Sequence, residues 1–228
     1  MYGKLSNPFF ILIFGILFFS LPAGYSENAA GEKIQLTKPL TKSAISLEEA
    51  FWKRHSVRAF TDKVPSWEQV GQLLWAAQGI NRPESKQRTV PSAGATYPLE
   101  LYVILPTGMY RYLPDEHAVV KTFSGDTKKL LREAGFGEKP FFASPCVFFF
   151  CARFERVSGK FGPEETPRYV YLEAGHAAQN LLLQLIPLEM VGVPIGAVVK
   201  PEAQKTLGIP PDQKTVYILA VGFPKEEQ

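Results

Sequence analysis

Arg54-His55-Ser56-Val57-Arg58-Ala59-Phe60 places two guanidiniums and a hydroxyl within five residues, directly after an amphipathic run. Arg54 and Arg58 carry planar donor forks that suit a phosphate or a carbonyl-rich ring. Ser56 sets a short neutral donor between them. Alone, the stretch reads first as a solvated basic helix end. Its weight comes from two later segments, residues 91–98 and 168–196, that accompany it along the chain.

Upstream, Ser46-Leu47-Glu48-Glu49 has the form of a capping box, and Leu47, Ala50, Phe51 and Arg54 share one helical face. Downstream, Ser66-Trp67-Glu68-Gln69 repeats that signal, and Gly79 stops the second helix. Residues 81–91 are polar and rich in Arg, Lys and Pro, and read as a loop. Residues 99–105 alternate as a strand that turns at Pro106-Thr107-Gly108 into a second arm over 109–113. A short helix follows over 126–134, then a continuous apolar strand over 145–154 that should be buried on both faces. A long helical pattern over 164–190 meets Pro187, which should end or kink it. A short helix over 201–207 and a strand over 216–221 complete the chain. Helices and strands mix without regular βαβ spacing, so the fold class is α+β.

The chain has 228 residues, 46% of them apolar, enough for one sizeable core. A net charge of +3, evenly spread, gives no footprint for nucleic acid. Lys4 and the apolar run over 8–21, followed by Ala23-Gly24-Tyr25-Ser26, have the order of a signal peptide. The run falls short of the roughly 20 residues of a membrane-spanning helix, with an uncleaved N-terminal anchor as the alternative. The expected organisation is a leader over 1–26, a polar tether over 27–45 and one domain over 46–228, exported to the periplasm or beyond. Export usually invites disulfides. Cys146 and Cys151, five apart on one strand-like run, point to opposite faces and read as buried free thiols.

Pro91-Ser92-Ala93-Gly94-Ala95-Thr96-Tyr97-Pro98 leads into the first long strand. Its small residues let backbone approach a flat ligand, Ser92 can donate, and Tyr97 can stack. The plain alternative is a tight loop before a strand. On the long helical pattern, Gly175, Ala177 and Ala178 permit close packing, within the core or across a dimer axis. His176 and Glu173 read as structural groups there rather than as base and acid. Val193-Pro194-Ile195-Gly196-Ala197 combines a proline with a glycine whose N–H is open to a ligand, or is an ordinary turn into a strand. There is no Walker loop, dinucleotide fingerprint, Gly-x-Ser-x-Gly or His-Glu-x-x-His, and three scattered histidines make no zinc set. With no catalytic side chain evident, the pattern suits an enzyme whose cofactor does the chemistry.

In order and spacing, the segments 54–60, 91–103, 168–184 and 193–196 resemble the nitroreductase family of FMN-dependent oxidoreductases. The resemblance is closer to its SagB-type branch, related to thiazoline and oxazoline dehydrogenases, and spans residues 47–224. It implies a central, mostly antiparallel sheet flanked by helices, and a homodimer formed through long helices with FMN sites shared between chains. By motif position, Arg54, His55 and Ser56 would hold the phosphate or ribityl end of FMN, with Arg58 near the ring's pyrimidine side. Ser92, Gly94 and Tyr97 would lie along the ring or its tail. Pro194, Ile195 and Gly196 would border the ring, with the Gly196 N–H towards N5. No metal is implied, and NAD(P)H is the candidate electron donor. Ala95 stands where many relatives have asparagine, and Lys225 is the late basic residue offered as a phosphate contact. The Lys-Tyr pair of azoline-oxidising relatives is missing, which weighs against azoline-to-azole oxidation of peptides. The expected function is hydride transfer through flavin N5 from a donor to an electron-poor small molecule. The alternative is a flavin-binding protein without turnover, acting as sensor or interaction module.

Overall fold

Two serine caps start the helices beside the basic motif. Ser46 Oγ accepts the Glu49 amide, and α1 follows over Leu47–Lys53. Ser66 and Gln69 exchange both bonds of a capping box, and α2 runs over Trp67–Gln78 to its cap at Gly79. The structure, a computed structural model, describes residues 31–137, 142–196 and 199–225. The expected leader lies outside the described residues.

The strands are β1 (Lys33–Gln35), β2 (Ile80–Arg82), β3 (Gln87–Arg88), β4 (Leu99–Leu105), β5 (Gly108–Leu113), β6 (Ala118–Phe123), β7 (Cys146–Ala152), β8 (Val191–Ile195) and β9 (Lys214–Gly222). The remaining helices are α3 (Thr127–Glu133), α4 (Glu155–Leu185) and α5 (Pro201–Thr206). Among the described residues, seven strands form one antiparallel sheet in the order β1-β6-β5-β4-β7-β9-β8, and β2 and β3 pair separately.

β7 shows how the sheet separates two cores. Its side chains are all buried, as a doubly covered strand requires. Cys146, Phe148, Phe150 and Ala152 join the core under α2 and α4. Val147, Phe149 and Cys151 join the core under α3 and α5. The two thiols are therefore free, buried and on opposite faces, and burial raises Cys151 to about 12. The architecture is helix layer, sheet, helix layer, the α+β class read from the sequence.

Several elements differ from the sequence reading. The segment expected as a polar tether docks over part of its length, because Lys33–Gln35 adds an edge strand to β6 and Leu36 is buried. Gln72 clamps it further on, donating to the Leu40 carbonyl and accepting the Leu40 amide. His117 ties it as well: Nε2 donates to the Thr37 carbonyl, which leaves Nδ1 to accept from Tyr112. The polar stretch 81–91 carries the β2–β3 hairpin rather than a bare loop. The long helix starts nine residues early, at Glu155, and is broken where Gly162 adopts φ 79° and ψ 163°. Pro187 acts as expected: α4 ends at Leu185, and a short 3-10 turn over Ile186–Leu188 closes on Glu189 at φ 56°.

The small residues of α4 divide differently from the expectation of one close-packing stripe. Ala177 and Ala178 face the protein's own core. Gly175, His176, Tyr171 and Leu172 lie on the exposed side. A helix that covers a sheet must spend its smallest residues at the closest approach, and here that approach is to α2 and the sheet.

Candidate flavin site

The basic motif is positioned by the edge of the sheet. α1 ends on Arg54, whose amide donates to the Ala50 carbonyl at 3.0 Å. The chain then straightens and runs beside β8. Ser56 bridges Gly192 in parallel, and the Val57 amide donates to the Gly192 carbonyl at 3.1 Å. Gly192 is closely packed there: a Cβ would sit 2.9 Å from Leu185 Cδ1 and 3.0 Å from the Ala220 carbonyl oxygen, so a larger residue would push on its neighbours. Arg54 and His55 border a small recess with Leu182, Leu185, Met190 and Val191. His55, Ser56 and Arg58 are exposed, and Arg54 is half-buried. Downstream, Phe60 bridges Pro224, and the Lys225 amide donates to the Ala59 carbonyl at 3.4 Å. The late basic residue thus stands beside the motif that carries Arg58.

Val193-Pro194-Ile195 forms the end of β8, not a turn before it. β8 is the last strand of the sheet, so Pro194 can replace an N–H without breaking a ladder on both sides. Gly196 follows, exposed, and a side chain built there would meet nothing within 4 Å. No contact within the described chain requires that glycine. Four residues of β8 direction separate Gly192 from Gly196, about 13 Å of extended backbone. The structure therefore brings two of the three motifs, from opposite ends of the sequence, onto one strand edge. Basic and hydroxyl donors lie at one end of that edge and an open glycine at the other.

The third motif lies elsewhere in the chain. Residues 91–98 lead into β4, three strands from β8, or about 14 Å at ordinary strand spacing. Their backbone is unusual: Gly94, Ala95 and Tyr97 adopt φ of 57°, 54° and 42°. Positive φ at alanine and tyrosine is costly and persists only where neighbours hold it. Ser92 Oγ accepts the Tyr97 amide, Lys160 donates to the Gly94 carbonyl, and Arg156 donates to the Tyr97 carbonyl. The Tyr97 hydroxyl accepts the Arg88 amide, and the Arg88 guanidinium stacks on the Tyr97 ring at 4.6 Å. Ser92, Gly94 and Tyr97 are therefore not gathered with Arg54 and Gly196 within a single chain.

Glu173 underlies this loop. It is buried and accepts from Gln78 Nε2 at 3.1 Å. Burial raises its carboxyl pKa, opposed by hydrogen bonds from Ser92 and Gln78 and by the Arg88 charge. Gln78 also accepts from Arg88 at 2.7 Å, so one amide links the buried carboxyl to the guanidinium that stacks on Tyr97. Gln78, Arg88, Arg156 and Lys160 escaped the sequence reading. Arg88 lay in a stretch that looked like an ordinary solvated loop, and the others sat on helices with no motif of their own. His176 is exposed on α4. No cluster able to hold a metal ion occurs among the described residues.

The site is thus an α+β sheet that carries a basic segment and an open glycine on its edge strand. The chain belongs to the nitroreductase family, whose family model matches residues 52–223. It is 34% identical over 171 residues to a nitroreductase-like protein of Methanocaldococcus jannaschii, covering 72% of this chain and 85% of that one. It is 28% identical over 169 residues to the microcin B17-processing protein McbC of Escherichia coli, covering 68% of this chain and 60% of that one. The likeness to McbC agrees with the SagB-type branch read from the motifs. Among solved structures, a nitroreductase-like protein of Ralstonia eutropha superposes with a TM-score of 0.77 at 24% identity, over 87% of this chain and 92% of that one. The NADPH:FMN oxidoreductase of Vibrio harveyi superposes with a TM-score of 0.53 at 16% identity, over 79% and 69%. The protein is an oxidoreductase of this family.

Proposed function

We propose that the protein binds FMN along the β8 edge and moves hydride between a small-molecule donor, NADPH or NADH, and an electron-poor acceptor. The observation that carries this reading is the docking of residues 54–60 on β8, through the Ser56–Gly192 bridge and the Val57 bond to Gly192. The residues present fit the cofactor. Arg54, Ser56 and Arg58, with Lys225 beside them, supply a donor set for a phosphate-bearing tail. Gly196 leaves space for a flat ring at the other end of the same edge. The Vibrio harveyi relative, named for both NADPH and FMN, supports the choice of ligands.

When bound, FMN supplies hydride chemistry that no side chain of the protein provides. The chain's own work is to bind, orient and exclude. Arg54 and Arg58 oppose negative charge with forks that present several N–H groups at once. Pro194 and Ile195 border the ring position with backbone that cannot swing freely, since β8 is fixed to β9 on its other side. His55, exposed, bonds the Lys53 carbonyl through Nδ1 and closes the turn between α1 and the basic motif.

The reading includes a homodimer. Leu47, Phe51 and Trp52 on α1 are 57%, 56% and 89% exposed, and Tyr171 and Leu172 on α4 are 57% and 51% exposed. α1 lies against α4, so these five large apolar side chains belong to neighbouring elements and suit burial by a second copy. A second copy would bring another 91–98 loop, which supports its part in a shared site. The reading also includes export, with residues 1–26 as the leader; N-terminal sequencing of protein from the envelope fraction tests it, and retention of Met1 in cytoplasmic protein contradicts it. The enzyme reading is tested by anaerobic titration of FMN-loaded protein. NADPH or NADH should bleach the flavin absorption, and an electron-poor nitro compound or quinone should restore it. Bleaching by dithionite alone, with neither nucleotide effective, would reject nicotinamide as donor.

A further inference from the structure

The side of the molecule carrying β4 and β5 holds a second polar cavity that the flavin reading does not use. Its volume is about 240 Å³, and it is bordered by Arg88, Arg111, Arg156, Glu100 and the turn at Asp115 and Glu116. At roughly 30 Å³ per water, this space holds several waters or one small oxyanion. It is smaller than the pockets of drug-sized ligands, which start at roughly 300 Å³.

The charges around it do not cancel. Glu100 is the one carboxylate deep in the cavity, with only 11% of its side chain exposed, and it is already engaged. Its Oε1 accepts from Arg156 at 2.5 Å and from Arg153 at 3.3 Å. Arg111 stands 3.7 Å from Oε2, too long for a hydrogen bond. Arg88 makes no ion pair among the described residues; its bond is to the neutral amide of Gln78. Desolvation disfavours its charge, opposed in part by the charges of Glu173 and Glu100. The rim acids are committed outward, Asp115 to Lys86 at 3.1 Å and Glu116 to Lys33 at 2.6 Å. Two half-buried guanidiniums thus keep unused donors towards the same space.

We propose that this cavity is an anion-binding site for a small phosphate- or carboxylate-bearing molecule, held by Arg88 and Arg111 with Arg156 at its edge. Planar guanidiniums converging on one space match the two-oxygen edge that phosphates and carboxylates share. The site does not depend on the flavin reading. It touches the motif loop all the same, because Arg88 stacks on Tyr97 and Arg156 holds the Tyr97 carbonyl.

Calorimetric titration at fixed ionic strength tests it, with sodium phosphate in one arm and sodium succinate in the other. The protein is saturated with FMN so that any cofactor phosphate site is filled, and protein that takes up no FMN is titrated as purified. Saturable binding of about one ion per chain is expected in at least one arm. Phosphate alone assigns phosphate esters, succinate alone assigns carboxylic acids, and binding of both assigns the shared oxyanion edge. Arg111→Gln should weaken that binding by about tenfold or more, the effect of one lost charge-assisted bond. Arg111→Lys, which keeps the charge, should fall between. Circular dichroism and thermal melting identify variants that remain folded. No saturable heat in either arm, or wild-type affinity in folded Arg111→Gln, would overturn the proposal.

Discussion

Arg54 and Arg58 flank one serine, but they stand in different surroundings. Arg54 is half-buried at the end of α1 beside the Leu185–Met190 turn, whereas Arg58 is exposed next to Lys225. A charge-assisted hydrogen bond contributes about 1.5–3 kcal/mol, so Arg54→Ala should weaken FMN on the order of ten- to a hundredfold. Arg58→Ala should shift the flavin's redox potential more than its affinity. Fluorescence titration and potentiometry check both, and no change in either variant contradicts the assignment. Glu173 gives a pH test. Its folded carboxyl holds its proton more tightly than the unfolded reference of 4.5, because burial raises it. The stability this contributes is complete below the unfolded value and is lost as pH rises through the folded one. Relative to Glu173→Gln, the wild type should therefore lose urea resistance as pH climbs above 4.5. Parallel curves for the two proteins would show that Glu173 remains ionised at no cost. These residue-scale features were unevenly legible. Arg54 and Gly196 announced themselves by motif, whereas Arg88 gave no signal because its partners, Gln78 and Tyr97, lie on other elements.

Among the elements, α4 carries the sharpest correction. Its small residues were visible in sequence, but which face they served was not, since Gly162 resets the helical phase between Glu155 and Leu185. Ala178 is 1% exposed and packs in the core beneath α2. Ala178→Trp should consequently destabilise the monomer itself by about 1–3 kcal/mol or more through overpacking. Thermal melting should show a lowered midpoint at every protein concentration. A variant with an unchanged melt that only dissociates would place Ala178 at a subunit interface instead. Strands were legible where their pattern was local: β4, β5, β7 and β9 follow from alternation or continuous apolarity. Among the strands that the sequence did not reveal, β1 and β8 have a physical reason. β1 is three residues long and β8 contains a proline, and both gain their order from a neighbour's edge rather than from their own sequence.

On the scale of the whole molecule, the class of fold was readable, but the strand order was not. No local pattern says that the N-terminal segment closes one edge of the sheet while β8 and residues 56–57 form the other. That arrangement is what joins the first and last motifs and leaves the 91–98 loop three strands away. In the proposed homodimer, the exposed apolar face of α1 and α4 is the place for a second copy. Leu172→Arg should lower the mass seen by light scattering from two chains to one while leaving the fold intact. A monomeric wild type would contradict the proposed dimer. We propose that the β8 edge with the 54–60 segment holds FMN. It is tested most directly by gel filtration of the purified protein after incubation with FMN, read at the protein and flavin absorption bands. A yellow protein peak with about one FMN per chain is expected, and a colourless peak for Arg54→Ala run at the same dilute concentration. A folded wild-type protein that elutes colourless, with all the flavin in the small-molecule fraction, would contradict it.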